Sequence, residues 1–243
     1  MVMMLCSTAR RAVTLVTQVA LAAGVILSVT VAIPHVASAA ADTFVGIGPR
    51  TQVDLSRLPA PGTYRLPRVI GAPDSDVLDS AARSVRLHGL LRGRISVVSF
   101  MYTYCRDPQG CPRAWAVMDA VHAELLRDEK LAARSQLISV SFDPTNDTPE
   151  QMRLVSGNRA HWRFLTTASV PALLPLLRGF GQDVSVELDA KGRPTRTLNH
   201  MLKVFLIDDS LQVREIYSVA TLDPQAVIND LRTLQMERFS ARP

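Results

Sequence analysis

The stretch that decides the fold is residues 95–112, ISVVSFMYTYCRDPQGCP. Its first six residues are apolar or small and rich in β-branched side chains, a composition typical of a strand buried on both faces. Its last residue, Pro112, suits the first turn of a helix, and apolar residues then recur at three- and four-residue steps from Trp115 to Leu126. Cys105 and Cys111 therefore lie between a predicted buried strand and a predicted helix.

Similar patterns continue along the chain and alternate between strand and helix. The predicted strands cover residues 84–87, 95–100, 136–142, 162–165, 184–188, 203–207 and 212–217, with a turn at 87–91. The predicted helices cover 112–131, a segment capped by Thr148 and begun by Pro149, 170–180, and a last segment from about 223 to 236. The first half is typical of parallel strands joined by helices and the second of an antiparallel hairpin, which together predict an α/β, thioredoxin-like fold: a central mixed sheet flanked by helices.

The N-terminal region has the pattern of an export signal. Residues 1–39 contain Arg10 and Arg11, no acidic residue, an apolar run over 12–33 and a small-residue Ala-Ser-Ala site at 37–39. We interpret 1–39 as a signal peptide that is cleaved, the alternative being a retained anchor, since a run of about 22 residues is long enough to cross a bilayer. Residues 40–76 then form a Pro- and Gly-rich lead-in, and residues 77–243 the thioredoxin-like domain. We expect an exported, periplasmic protein, which residues 12–33 would hold at the inner membrane if they were retained.

Composition narrows the function classes. The 243 residues are 47% hydrophobic and 20% charged, which argues against a disordered chain. Three cysteines are too few for a disulfide scaffold. Removing residues 1–39 takes away two arginines, no acid and one cysteine, so the net charge falls from +5 to +3. A nearly neutral domain offers no electrostatic basis for a nucleic-acid partner.

The two remaining cysteines and one histidine are the candidate site. A helix N-terminus favours an anion, so we expect a lowered pKa for the Cys111 thiol, with Arg106 adding positive charge nearby. The alternative is a structural disulfide, although a bridge across so short a loop stabilises little. His88, His122 and His161 are interpreted as turn or packing residues. His200 precedes a strand predicted at 201–207, which thioredoxin-like folds place beside the reactive cysteines; two thiolates and an imidazole would suit copper.

Four segments resemble the Sco/SenC family, in matching order over roughly residues 80–235: FMYTYC at 100–105, CP at 111–112, VSFDPTNDTPE at 140–150, and His200 before VFLID at 204–208. The resemblance implies a thioredoxin-like fold, export with membrane association, and copper held by Cys105, Cys111 and His200. It also implies a role in assembling the copper centre of cytochrome c oxidase, as a metallochaperone, as a thiol reductant of the target cysteines, or as both. The implied partner is a copper-receiving oxidase subunit or its thiols. Asp143 and Asp147 match acidic positions of the family, with turn and helix-cap chemistry as the alternative.

The chain departs from the family at two places, and three functions are weighed. Five residues separate the cysteines where the family usually has three, and Asn199 replaces an aspartate that could orient the imidazole of His200. The first hypothesis is a copper-binding assembly factor that is not an enzyme. The second is a metal-free thiol–disulfide oxidoreductase that uses Cys105 and Cys111 as a redox pair. The third is an anchored binding module with a structural disulfide.

Overall fold

A six-stranded mixed sheet organises the fold in the computed structural model, which describes residues 57–105 and 110–240. The strands are β1 (Ile70–Gly71), β2 (Asp76–Leu78), β3 (Ser84–Arg86), β4 (Ile95–Met101), β5 (Ser135–Ser141), β6 (Trp162–Leu165), β7 (Val184–Leu188), β8 (Pro194–His200), β9 (Lys203–Ile207) and β10 (Gln212–Ser218). The helices are α1 (Leu87–Leu91), α2 (Cys111–Arg127), α3 (Glu129–Ala132), α4 (Pro149–Ser156), α5 (Val170–Gly179) and α6 (Pro224–Ser240). The order in the central sheet is β1-β10-β9-β4-β5-β6, with β2-β3 and β7-β8 as separate two-stranded sheets.

The central strands are buried on both faces, as the pattern of residues 95–100 predicts. All residues of β4 and of β5 are buried, and the two strands pair in parallel, with β6 parallel to β5. Because side chains alternate along a strand, Val97 packs into one hydrophobic layer and Val98 into the layer on the other side. Antiparallel β9 and β10 complete the mixed sheet.

Helices cover both faces of this sheet. One layer holds the apolar sides of α2 and α6, including Val121 and Leu231. The opposite layer holds α1 and α5, including Leu91 and Leu176. The predicted thioredoxin-like α/β fold, a mixed sheet flanked by helices, is confirmed. Because β4 and β5 are parallel, they end side by side, with Met101 opposite Ser141. The segments that follow the two strands therefore lie at the same edge of the central sheet.

Two local predictions are wrong. The segment predicted as a turn at 87–91 is the short helix α1, because Leu87 and Leu91 are both buried one helical turn apart. The helix predicted over 112–131 is divided into α2 and α3 at Asp128. The Asp128 side chain accepts a hydrogen bond from the Leu131 N–H and so begins a new helix.

The strand β8 was not predicted, and it changes the surroundings of His200. Residues 194–200, PTRTLNH, are polar and lack a period-two apolar pattern, yet they pair antiparallel with β7. The partner of β7 is therefore β8, while β9 begins at Lys203, not at 201, and belongs to the central sheet. His200 is the last residue of a hairpin strand and not the residue before a core strand.

The described part of the lead-in packs on the domain. The Gly62 N–H donates to Thr233 Oγ1 of α6 at 3.0 Å, Leu66 is buried, and β1 pairs with β10. The signal peptide or anchor predicted over 1–39, and residues 40–56, lie outside the described residues. Within the described ranges, no helix is both long enough and apolar enough to cross a bilayer.

Candidate functional site

Cys105 and Cys111 meet at the carboxyl end of β4. Cys105 follows the strand after a turn in which its N–H donates to the Tyr102 carbonyl at 3.3 Å, and Cys111 is the first residue of α2. Both are free thiols, and Cys105 is near enough to Cys111 to raise the pKa of its thiol. Arg106, predicted to add positive charge, lies outside the described residues. The folded chain thus brings together the two thiols that the sequence singles out.

The predicted lowering of the Cys111 pKa is wrong. The side chain is only 1% exposed, and this burial raises the pKa of the Cys111 thiol well above its ordinary value. The neighbouring Cys105 side chain raises the pKa of Cys111 further, and the backbone of Tyr102 and of Cys111 itself lowers it without reversing the rise. Desolvation of a thiolate therefore outweighs the favourable helix N-terminus, and Cys111 is a thiol at neutral pH.

The two sulfurs therefore differ in how far a partner molecule can reach them. Because Cys111 keeps its proton, its S–H can donate to the sulfur of Cys105, which is only half-buried. A partner molecule therefore reaches Cys105 first, whereas Cys111 lies behind it among core residues. This is the arrangement of an attacking cysteine and a resolving cysteine.

Tyr102 joins the cysteine pair to the β7–β8 hairpin. Its side chain is 4% exposed, and the side chain of Cys105 is near enough to raise the pKa of its hydroxyl. The same hydroxyl accepts the Leu198 N–H of β8 at 3.4 Å. Burial, with a further contribution from the neighbouring Cys105, raises the pKa of Tyr102 to about 12. The hydroxyl therefore keeps its proton at neutral pH.

Asp147 holds the segment that leads to Cys105. Its carboxylate is 1% exposed and accepts hydrogen bonds from the Thr103 N–H at 3.1 Å, from the Thr103 hydroxyl, and from the Ser141 hydroxyl at 2.6 Å. Thr103 follows β4, and Ser141 ends β5. The carboxylate thus fixes the segments after both strands at the edge of the sheet where the cysteines lie.

The two aspartates that match acidic family positions have different environments. Asp143 accepts from the backbone and side-chain nitrogens of Asn146, which is the turn chemistry that the sequence analysis offered as the alternative. Asp147 does not have the helix-cap role offered as the alternative, since that cap is Thr148, which accepts from the Gln151 N–H as predicted. The positioning role of Asp147 was missed, although parallel neighbouring strands predict that the segments after them meet.

His200 lies at the same end of the domain. Its ring centroid is 4.4 Å from that of Phe142 and 6.4 Å from that of Tyr102. Nδ1 lies 3.3 Å from the Met201 carbonyl oxygen. When Nδ1 carries the proton and donates it to this carbonyl, Nε2 holds the lone pair that binds metal ions. The backbone can thus orient the ring where Asn199 replaces the carboxylate of the family.

These ligands are near one another but not assembled. In the part of the chain that the structure describes, no three His, Cys, Asp or Glu side chains form a group that could hold a metal ion. The set Cys105, Cys111 and His200 therefore stays a prediction. The donor types fit copper, since thiolates and an imidazole are soft and borderline ligands.

The other histidines pack as expected. His88 Nε2 is 2.7 Å from the Ala72 carbonyl oxygen, and His122 Nε2 is 2.8 Å from that of Ala160. His161 is an exposed loop residue with a positive φ. None of the three belongs to the cysteine site.

Comparison with known proteins decides the family. A sequence profile described as SCO1/SenC matches residues 78–235, which is more than half of the chain. The chain belongs to the SCO1/SenC family. The matched range includes both cysteines, Asp147 and His200, so the whole candidate site lies within the SCO1/SenC match. No curated protein sequence matches the chain.

Solved structures of Sco proteins share the fold of this SCO1/SenC chain. Copper-bound ScoI from Bradyrhizobium japonicum is 19% identical with a TM-score of 0.54, over 70% of this chain and 99% of that one. Apo Sco1 from Thermus thermophilus is 22% identical with a TM-score of 0.56, over 71% and 98%. Copper-bound yeast Sco1 is 15% identical with a TM-score of 0.54, over 72% and 95%. At these identities the likeness establishes the fold.

Proposed function

We propose that this SCO1/SenC protein carries copper on Cys105, Cys111 and His200 and delivers it to a copper-receiving subunit of cytochrome c oxidase or a related respiratory enzyme. The observation that carries the proposal is the pair of neighbouring free thiols at the end of β4, with an imidazole at the same end of the domain. Family membership supports it, as do the copper-bound ScoI of Bradyrhizobium japonicum and the copper-bound yeast Sco1.

The chemistry of the donors favours this cargo. Thiolates select soft ions such as copper(I). Because burial keeps Cys111 protonated, loading must release its proton, and metal affinity should therefore rise with pH. His200 sits on a two-stranded sheet separate from the central one, so it can join the two sulfurs or withdraw from them without unpairing a core strand. A third ligand that withdraws suits a protein that must give up its cargo.

Delivery begins at the half-buried sulfur. Cys105 is the position that a partner's thiolate can approach, since Cys111 is buried behind it. Copper then passes by exchange of ligands from Cys105 and Cys111 to the partner's thiols. The partner's chemistry is a pair of reduced cysteines.

We also propose that the domain acts outside the cytoplasm, in the periplasm. The support is the sequence pattern of residues 1–39 alone: paired arginines, the apolar run over 12–33 and the Ala-Ser-Ala site. N-terminal sequencing of the chain from a periplasmic fraction tests this. A new N-terminus at about residue 40 supports cleavage, a membrane-bound chain with its own N-terminus supports the anchor, and a cytoplasmic chain contradicts export.

A second function is favoured by the asymmetry of the cysteines. As a thiol reductant, Cys105 would attack a target disulfide and form a mixed disulfide, and Cys111 would then lose its proton, attack Cys105 and release the target dithiol. An accessible first sulfur and a buried, protonated second sulfur match this order of events.

One experiment tests both functions. The reduced full chain is mixed with one equivalent of copper(I) and then with the target's cysteine-bearing domain, either reduced or as its disulfide. Copper transfer to the reduced domain supports delivery, and conversion of the disulfide to a dithiol supports reductase activity. Cys105→Ala should abolish both reactions, while His200→Ala should affect copper only. A reduced wild-type chain that binds no copper contradicts the carrier, and one that leaves the target disulfide intact contradicts the reductant.

A further inference from the structure

A cavity lined by three arginines lies at the edge of the central sheet opposite the cysteines. The parallel strands β4, β5 and β6 end at the edge where the cysteines lie, and the cavity is found where the same strands begin. Its volume is about 290 Å³. The described residues that line it include no aspartate or glutamate; they are Arg94, Gln136, Arg159, His161, Trp162 and Arg163.

Arg94 is fixed at this cavity by backbone carbonyls. Its Nη2 donates to the Ser135 carbonyl at 2.6 Å and to the Ala132 carbonyl at 3.1 Å, while its Nε is buried without a hydrogen-bond partner. Burial lowers the pKa of Arg94, and the charge of Arg163 lowers it further. Carbonyl oxygens satisfy hydrogen bonds but leave the positive charge uncompensated, so an anion in the cavity would stabilise this guanidinium.

Arg163 and Arg159 bring two more positive charges to the cavity. Arg163 is exposed, and within the described ranges neither it nor Arg94 pairs with a carboxylate. Arg159 is held in place, since its Nη1 donates to the Val155 carbonyl at 3.0 Å and its Cζ lies 5.4 Å from the centroid of the Trp162 ring. Planar guanidinium groups present N–H donors whose geometry matches the oxygens of a phosphate.

Two carboxylates near these arginines leave most of the charge uncompensated. Asp119 is half-exposed and lies 3.8 Å from Nε of Arg159, an ion pair of a kind that contributes little. Asp79 lines an adjoining cavity with Arg159 and Arg163, but its carboxylate already accepts from Arg83 Nε at 2.8 Å. Two arginines therefore remain without a counter-ion. A phosphate monoester, which carries about −1.5 to −2 charges at pH 7, matches this excess better than a single carboxylate does.

We propose that this cavity is a binding site for a phosphate monoester group, held by the guanidinium groups of Arg94 and Arg163. The volume is just below the range of about 300–1,000 Å³ that is usual for small-molecule pockets, so it suits the phosphate group with a small substituent. The group can belong to a soluble ester, to inorganic phosphate or to a monoester lipid headgroup. The site lies at the opposite edge of the sheet from the cysteines and is independent of copper and thiol chemistry.

The test titrates the reduced full chain at pH 7.5 and constant ionic strength with three probes in separate arms. The probes are inorganic phosphate, glycerol 3-phosphate, and phosphatidylcholine vesicles that contain phosphatidic acid; sodium chloride and pure phosphatidylcholine vesicles are the reference arms. Binding is followed by calorimetry and by tryptophan fluorescence. The chain has two tryptophans, Trp115 and Trp162, and both rings lie within 5.6 Å of the Arg159 Cζ. An anion that attracts this guanidinium should change their emission.

The variants are Arg163→Gln, Arg94→Gln and the control Arg178→Gln. Arg178 is an exposed arginine at the end of α5 that does not line the cavity, so its substitution removes the same charge elsewhere. Wild type should bind about one phosphate per chain. Arg163→Gln should weaken binding by about 10-fold, and Arg94→Gln by at least as much, because each loses a charge-assisted hydrogen bond. Arg178→Gln should bind as wild type does.

The arms identify the source of the phosphate group. A response to inorganic phosphate or glycerol 3-phosphate that is weakened in Arg163→Gln supports a soluble ligand. A response confined to vesicles with phosphatidic acid, and weakened in the same variant, supports a lipid headgroup. No response in any arm overturns the proposal, as does a response that sodium chloride reproduces or one that is equal in wild type and Arg163→Gln. If Arg94→Gln does not fold, the exposed position 163 decides the matter alone. Copper binding by the same samples is measured separately, so failure of this site leaves the proposed function standing.

Discussion

Removal of the Asp147 carboxylate should cost more stability than any single surface change near the site. The carboxylate accepts three hydrogen bonds at the ends of β4 and β5, two from Thr103 and one from Ser141, and it is 1% exposed. Hydrogen bonds to a buried charge contribute about 1.5–3 kcal/mol each, and a donor left unpaired costs about 1–3 kcal/mol. The cost of burying the charge itself offsets part of this sum. We expect Asp147→Ala to lower the free energy of unfolding by about 3–5 kcal/mol.

Asp147→Asn should cost less, about 1–2 kcal/mol, because the amide keeps one acceptor oxygen and the Thr103 hydroxyl can reverse its role. The assay is urea unfolding of the reduced chain. An m value equal to that of wild type shows that the substitution changes the free energy of unfolding and not the surface exposed on unfolding. The matched control is Asp143→Ala in the same loop, whose carboxylate bonds only within an exposed turn and should cost under about 1 kcal/mol. If Asp147→Ala lowers the free energy of unfolding no more than Asp143→Ala does, the conclusion that the Asp147 carboxylate holds the segments after β4 and β5 is refuted.

Three further predictions concern the rest of the domain. Iodoacetamide should label Cys105 of the native reduced chain well before Cys111, because burial raises the pKa of Cys111 and shields it; equal rates by peptide mass spectrometry would contradict this. Burial raises the pKa of Asp230 in the folded chain above the value of about 3.9 that an aspartate has in an unfolded chain. The contribution of Asp230 to stability is therefore complete below the unfolded pKa and is lost as pH rises through the folded pKa. In Asp230→Asn the urea midpoint should therefore fall less steeply with rising pH than in wild type. A variant whose midpoints follow the wild-type pH profile would contradict this direction. Gly179→Ala should cost about 1–3 kcal/mol by thermal unfolding, because a Cβ there would lie 2.5 Å from a proline side chain, whereas Gly71→Ala, with nothing within 4 Å, should be near neutral.

The sequence predicts the core strands well because their burial dominates their composition. Residues 95–100 and 136–142 are apolar or small almost without interruption. In the structure β4 ends one residue later than predicted, and β5 both begins and ends one residue earlier. The cap at Thr148 is equally local, since a Thr-Pro pair fixes both the capping oxygen and the first helical φ. Such features depend on neighbours in sequence, and for that reason they can be predicted without the fold.

The parts that escape prediction depend on tertiary contacts. The polar strand β8 exists because β7 pairs with it, and no apolar period marks it. The pKa of Cys111 is raised because the thiol is buried at the start of α2, and its position in the sequence does not show this burial. In the sequence nothing marks Tyr102 apart from its aromatic ring; in the fold its hydroxyl accepts the Leu198 N–H of the β7–β8 hairpin. The cysteines and His200 could be named in advance, but the residues that position them could not.

Copper(I) titration of the fully reduced chain, with a competing chelator as reporter, tests the central claim most directly. The account predicts about one copper ion per chain at a site of thiolate and imidazole character. It also predicts loss of binding in Cys105→Ala and in Cys111→Ala, and weaker binding in His200→Ala, while the control His122→Ala binds as wild type. Reduced wild type that leaves all copper with the chelator, or binding that survives replacement of both cysteines, would contradict the claim that these residues carry copper.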